Sequence, residues 1–353
     1  MRIVFVTQTI DADHPALAQT IDMVRALAAR SDEVVVLCAD VRRHDLPANV
    51  LFRTFAAGSR LGRGIRFVWA LTAVSLRRRP DAVLAHMVPL FLVLAAPIAR
   101  ARRIPLVLWY THWKAGGTLR LAARLADVVL SADRRSFPIE SPKARGIGHA
   151  IDVSLFPPRA EAGDGSLRLL ALGRFARWKG YETLLEGLRL AVERGVDVTL
   201  EIRGPALTDS ERRHQAELEE CVRATEGLRE RVTLAPPVAR DEIPALLAGA
   251  DALVSPTQPD SGETLDKVVY EAAAAAVPVI ASNPALAEFL GGLPLRLEFR
   301  RRDAGDLADV LVAFAAAPPR LRTEVGRELR RRVEHGHSVE SWADAVVEIV
   351  REL

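Results

Sequence analysis

Leu169-Leu170-Ala171-Leu172-Gly173-Arg174-Phe175-Ala176-Arg177-Trp178-Lys179-Gly180 decides the fold. An apolar run ends in a glycine, two cations follow at Arg174 and Lys179, and a second glycine opens the helical stretch Tyr181–Arg194. A strand that turns directly into a helix is the opening of a parallel βαβ unit, because parallel strands need a crossover. The pattern continues downstream, with strands expected at Val198–Arg203, Val232–Leu234, Ala252–Ser255 and Pro278–Ala281. Helices are expected at Glu211–Glu226, Ile243–Ala248, Lys267–Ala276, Asp306–Ala315 and Leu321–Glu334. Upstream, the same alternation places strands at Ile3–Thr7, Glu33–Cys38, Ala82–Ala85, Leu106–Tyr110 and Asp127–Ser131, with helices such as Ala16–Arg30 and Gly64–Arg78 between them. Pro157-Pro158 and the Gly163-Asp164-Gly165-Ser166 run separate the two series as a linker. The expected architecture is therefore α/β: two tandem doubly wound domains, 1–157 and 167–335, then a terminal helix, 336–353, that packs back on the first. Such sheets bind ligands at the carboxyl ends of their strands, so an interdomain cleft is expected.

Composition narrows the function. Of 353 residues, 49% are hydrophobic and 26% charged, which excludes disordered and collagen-like classes. The 48 Lys+Arg include only four lysines, Lys114, Lys143, Lys179 and Lys267, so each lysine is a position to inspect. A net charge of +3 does not point to nucleic acid. Two distant cysteines, Cys38 and Cys221, exclude a disulfide framework or a four-cysteine zinc site and suit a reducing cytoplasm. The apolar run at the N-terminus is too short for a signal peptide. Residues 82–99 carry no full charge but contain Pro89 and Pro97, and they read as a buried strand and helix rather than a membrane span. An apolar, Arg-rich surface allows peripheral membrane contact.

The chemistry concentrates in two segments. Arg174 can fork two oxygens, Lys179 adds a compact charge, and a helix N-terminus adds backbone donors; together they suit an anionic diphosphate. A solvated basic turn is the plain alternative for Arg174 and Arg177. Downstream, Glu263 lies in a loop and Glu271 about one turn into the next helix if Asp266 caps it. Carboxylates there can accept paired hydroxyls, as sugars and riboses present them. Two ordinary surface glutamates fit equally well. His112 ends the expected Leu106–Tyr110 strand, where a site role or a packed, hydrogen-bonded ring would fit, and His86 ends the strand before it. Asp11-Ala12-Asp13 follows the first strand, away from these segments, so no metal is expected.

Taken together, Gly173-Arg174-Phe175-x-x-x-Lys179-Gly180, the Glu263…Glu271 spacing and Ala276-x-Pro278-Val279-Ile280-Ala281-Ser282 resemble the retaining glycosyltransferases of family four. Asp81–His86, Thr111-His112, Gly148–Phe156, Gly204-Pro205 and Leu247–Pro256 echo the same family along most of the chain. The resemblance implies the GT-B fold of two Rossmann-like domains, with acceptor sites in the first and the nucleotide-sugar donor in the second. It implies that Arg174 and Lys179 bind the donor diphosphate, that Glu271 holds the ribose, that Glu263 contacts the donor sugar and that His112 lies near that sugar. Gly173, Thr264, Leu265, Asp266, Lys267 and His86 form a wider set of candidates. The implied reaction is metal-free, cofactor-free transfer of a hexose from a nucleotide diphosphate to a hydroxyl on a sugar, lipid-linked or small-molecule acceptor.

The sequence departs from the family in two places. Thr7–Pro15, after the first strand, has no glycine, and Thr264-Leu265-Asp266-Lys267 stands where relatives often carry glycines. Lys267 is placed to meet a phosphate or to pair with Asp266. An epimerase or hydrolase acting on nucleotide sugars, or a non-catalytic subunit that binds them, would use the same architecture. An NAD-dependent dehydrogenase is disfavoured because no Gly-x-Gly-x-x-Gly follows a strand.

Overall fold

The computed structural model describes residues 1–12, 14, 17–112, 114–160, 165–258 and 266–353, apart from the side chain of Arg135. Its residues fall into two units: Met1–Asp152 with Gly336–Leu353, and Val153–His335. The change of unit falls earlier than the paired prolines suggest. Arg330 Nη1 donates to Phe156 O at 2.6 Å, which ties that turn to the second unit.

The first unit runs β1 (Arg2–Val6), β2 (Thr9–Ile10), α1 (Thr20–Ala28), β3 (Glu33–Cys38), β4 (Asp40–Val41), β5 (Val50–Thr54) and α2 (Arg60–Arg77). It continues with β6 (Ala82–His86), α3 (Pro89–Arg102), β7 (Leu106–Trp109), α4 (Gly117–Leu125), β8 (Val128–Ser131) and β9 (Ala144–Gly146). Seven of these strands form a sheet in the order β5-β3-β1-β6-β7-β8-β9, all neighbours parallel. Every residue of β1, β6, β7 and β8 is buried, which is why these strands read as unbroken apolar runs. Alternation along β1 sends Ile3 and Phe5 to one core and Val4 and Val6 to the other.

The sequence reading overlooked β5, which lies at the sheet edge with Leu51 and Arg53 exposed, and whose apolar run stops after Val50-Leu51-Phe52. The second helix starts at Arg60 rather than Gly64, because the Ser59 side chain caps it by accepting Gly62 N–H.

The second unit runs β10 (Leu167–Leu172), α5 (Tyr181–Glu193), β11 (Val198–Arg203), α6 (Asp209–Ala224), β12 (Val232–Ala235), α7 (Ile243–Ala248) and β13 (Ala252–Ser255). Then come α8 (Lys267–Ala274), β14 (Val279–Ala281), α9 (Ala287–Leu290), α10 (Ala304–Ala316) and α11 (Pro319–Gly336). Its sheet is parallel in the order β12-β11-β10-β13-β14. The order reverses between β10 and β13, and a crevice opens beyond the strand ends at such a switch point. This is the α/β doubly wound pair expected from the sequence.

The last helix, α12 (Val339–Glu352), belongs to the first unit. Trp342 is fully buried and meets Trp109 edge-on at 5.6 Å between ring centroids. Among the described residues, no helix is long and apolar enough to cross a membrane.

Candidate functional site

The crevice of the second unit is built by close backbone approaches. A Cβ on Gly204 would lie 1.9 Å from Gly173 O, so the turns after β10 and β11 touch only because residue 204 is glycine. Gly180 has a φ of +70°, and a Cβ there would lie 2.3 Å from Pro256 O. Gln258 completes the joint: its N–H donates to Trp178 O at 2.6 Å and its Nε2 to Thr183 Oγ1 at 2.9 Å. The turn carrying Arg174 and Lys179 is thus fixed from both sides.

Lys179 is folded inward and only 7% exposed. Its Nζ donates to Asp266 Oδ2 at 2.7 Å and lies 4.7 Å from the centre of the Trp178 ring. Its chain crosses beneath Gly173, where a Cβ would sit 2.8 Å from Cε. Thr257 Oγ1 also donates to Asp266 Oδ2. Asp266 occupies the N-cap position of α8 but makes no capping bond, contrary to the expectation from sequence. A buried ammonium claims the carboxylate more strongly than a backbone N–H does, since an unpaired buried charge is the costlier defect. Among the described residues, no side chain therefore caps the first turn of α8. Tyr181 donates to Gly173 O at 3.0 Å; burial and the nearby Asp266 push its phenol up, so it stays a donor.

Arg174 is half exposed and held by Glu211, which accepts from its Nε at 3.0 Å and also from Nη2. Glu211 is buried and takes Leu207 N–H at 2.7 Å. Burial opposes its ionisation, but Arg174 and the Leu207 N–H outweigh this and hold the carboxyl below the usual range. Sequence reasoning missed Glu211 as a partner. The signal was present in Thr208-x-x-Glu211, a helix-start pattern in which Thr208 Oγ1 accepts Glu211 N–H at 3.2 Å. Arg177 pairs with Glu182 and Glu217 at the surface, as the solvated-turn reading allows.

Glu271 accepts Lys267 Nζ at 2.9 Å, a contact between successive helical turns. Lys267 therefore pairs with Glu271 and not with Asp266. Glu263, Thr264 and Leu265 lie outside the described residues. A cavity of about 530 Å³ borders Leu167, Asp197, Ala316 and Pro319, at the opposite end of the strands from Lys179.

In the first unit, His86 is packed in the core: 2% exposed, stacked on Phe5, with Nδ1 3.3 Å from Thr7 Oγ1. Burial pushes its imidazole down to about 4. His112 is exposed beyond the end of β7, and its Nδ1 accepts Lys114 N–H at 3.0 Å. Burial of part of the ring and the charge of Lys114 lower its pKa, and the neutral tautomer carries its proton on Nε2. Asp11 is buried and Asp13 lies outside the described residues. Among the described residues, no three His, Cys, Asp or Glu side chains gather as metal ligands.

Known proteins bear on this arrangement. Residues 166–317 match the family model described as "Glycosyl transferases group 1", and residues 18–155 match "Glycosyltransferase Family 4". Together the two matches span most of the chain. Among proteins of curated function, none matches it in sequence. Of solved structures, Anabaena HepE in complex with UDP is similar with a TM-score of 0.75 at 18% identity, over 100% of both chains. Sucrose-phosphate synthase from Thermosynechococcus elongatus gives 0.69 at 18% identity, over 99% of this chain and 98% of that one. A glycosyltransferase from Rickettsia africae gives 0.74 at 12% identity, again over 99% and 98%. Fold and family matches define a glycosyltransferase with the GT-B architecture. The chain belongs to the family-four type.

Proposed function

We propose that the protein is a retaining hexosyltransferase that uses a nucleotide-diphosphate sugar and needs neither metal nor cofactor. The observation that carries this reading is the cation pair at the switch point: Lys179 held inward against Asp266, and Arg174 gripped by Glu211. A donor diphosphate would compete with Asp266 for the ammonium and take the outward donors of Arg174 and the uncapped first turn of α8. When the bond from the sugar to the leaving phosphate breaks, positive charge develops on the sugar and negative charge on the diphosphate. Fixed cations stabilise that diphosphate more in the transition state than before it, and so supply the charge a metal would otherwise provide.

Within this reading Glu271 holds the ribose, and Glu263 contacts the sugar. His112, neutral with its proton on Nε2, is a further residue assigned to the sugar. UDP-sugars are the first donors to try, since a structure similar to this chain holds UDP. The acceptor is a sugar or a lipid-linked glycoside, the setting is cytoplasmic, and contact with a membrane is peripheral.

Purified protein given UDP-, GDP-, ADP-, CDP- and TDP-sugars with an acceptor panel should release nucleoside diphosphate in the presence of EDTA, with the anomeric configuration kept in the product. Unchanged turnover in Lys179→Ala and Glu271→Ala would remove the site assignment. The glycine-free turn after β1 favours a second reading, a non-catalytic subunit. Calorimetric binding of nucleotide without turnover on any acceptor would support it, whereas donor consumption in water alone would indicate a hydrolase or epimerase.

A further inference from the structure

One helix carries two apolar faces, and the core uses only one. Phe67, Leu71 and Val74 of α2 are buried against the sheet and α3. On the outer side, Leu61, Ile65, Trp69 and Leu76 are 75%, 51%, 72% and 66% exposed. At 100° per residue they lie within an arc of about 80°. Four large apolar side chains aligned this way are not the scattered exposure normal for a surface.

Along the helix itself the charge has a single sign, and Arg78, at its end, meets Asp32 at 3.9 Å. From Arg60 to Pro80 there is no Asp or Glu, and there are six arginines, of which Arg66 and Arg77 border the apolar arc. Among the described residues, no carboxylate pairs with Arg63, Arg66 or Arg77. A second copy docked face to face would bring two arginine-rich helices together, which like-charge repulsion disfavours. An apolar ridge with an exposed tryptophan, set among cations, matches instead the boundary between acyl chains and anionic headgroups.

We infer that the outer face of α2 docks the protein on an anionic lipid bilayer, with Leu61, Ile65, Trp69 and Leu76 inserted at headgroup depth and the arginines on the headgroup phosphates. This gives the membrane contact proposed above a definite surface, and it stands independently of the donor site.

The test is flotation of the full chain with vesicles of phosphatidylcholine alone or mixed with phosphatidylglycerol. Wild-type protein should float only with the anionic vesicles. Trp69→Glu and Ile65→Glu should stay in the soluble fraction while melting at the wild-type temperature. The double variant Arg66→Ser/Arg77→Ser should lower partition about thirtyfold, the effect of two basic residues near such a surface. Leu207→Glu, an exposed apolar position in the second unit, should float as wild type does. Absence of flotation, equal flotation with both vesicle types, or flotation of Trp69→Glu would overturn the inference. So would a dimer in sizing that Trp69→Glu converts to a monomer, because the face would then serve a second copy. Calorimetric UDP binding, measured on the same samples, reports on the donor site separately from the membrane.

Discussion

Replacing Asp266 by alanine isolates the central contact of the site. Asp266 accepts from Lys179, 7% exposed, and from Thr257, 2% exposed. The substitution leaves an ammonium buried with no opposite charge, a defect that costs about 3–5 kcal/mol. Taking about 3 kcal/mol, the melting temperature of a unit this size should fall by roughly 6–12 °C. Thermal melting followed by the fluorescence of Trp178, which Lys179 overlies, measures it. The companion variant Lys179→Met removes the charge and keeps the chain, and the double variant Lys179→Met/Asp266→Ala leaves neither charge of this pair. If burial of an unpaired charge is the cause, the double variant should be more stable than Asp266→Ala alone. The reasoning fails if Asp266→Ala melts within about 2 °C of wild type, or if the two losses simply add.

Further outcomes follow from other contacts. Gly204→Ala places a Cβ against Gly173 O and should cost about 2–3 kcal/mol in denaturant unfolding, whereas Gly58→Ala, with nothing within 4 Å, should be neutral. Glu211→Gln keeps the shape but loosens Arg174, and should weaken UDP binding about tenfold by calorimetry while Thr208 still caps α6. In the first unit, burial lowers His86 and His337 to about 4, with Asp133 partly opposing it at His337. Their folded values lie below the unfolded one of about 6.5, so the unfolded chain binds protons first as pH falls. Stability present above that value should be lost between it and about pH 4, by up to about 3 kcal/mol for each histidine, and His86→Gln should flatten that limb in urea unfolding followed across pH.

How much of this was readable beforehand depended on distance along the chain. The buried strands announced themselves, since a strand covered on both faces must be apolar throughout, as in Val34–Cys38 and Ala82–Ala85. The exposed edge strand β5 carries no such mark. The position of Arg174 and Lys179 at a strand end was legible from the glycines that bracket them. Their partners were not. Lys267 had two acidic neighbours in sequence, and only the helical geometry selected Glu271 over Asp266.

The amino-acid sequence by itself therefore determined the buried elements, their parallel α/β order and the strand ends where charge gathers, because burial pattern and turn chemistry act over a few residues. Tertiary structure alone decided that Asp266 serves Lys179 rather than its helix and that Glu211 grips Arg174. It also decided that one face of α2 is left to solvent, whereas the return of α12 to the first unit was already expected from the sequence. Each of those outcomes depends on which distant segments share a buried environment. No local pattern encodes the partner that a desolvated charge or an apolar face will find.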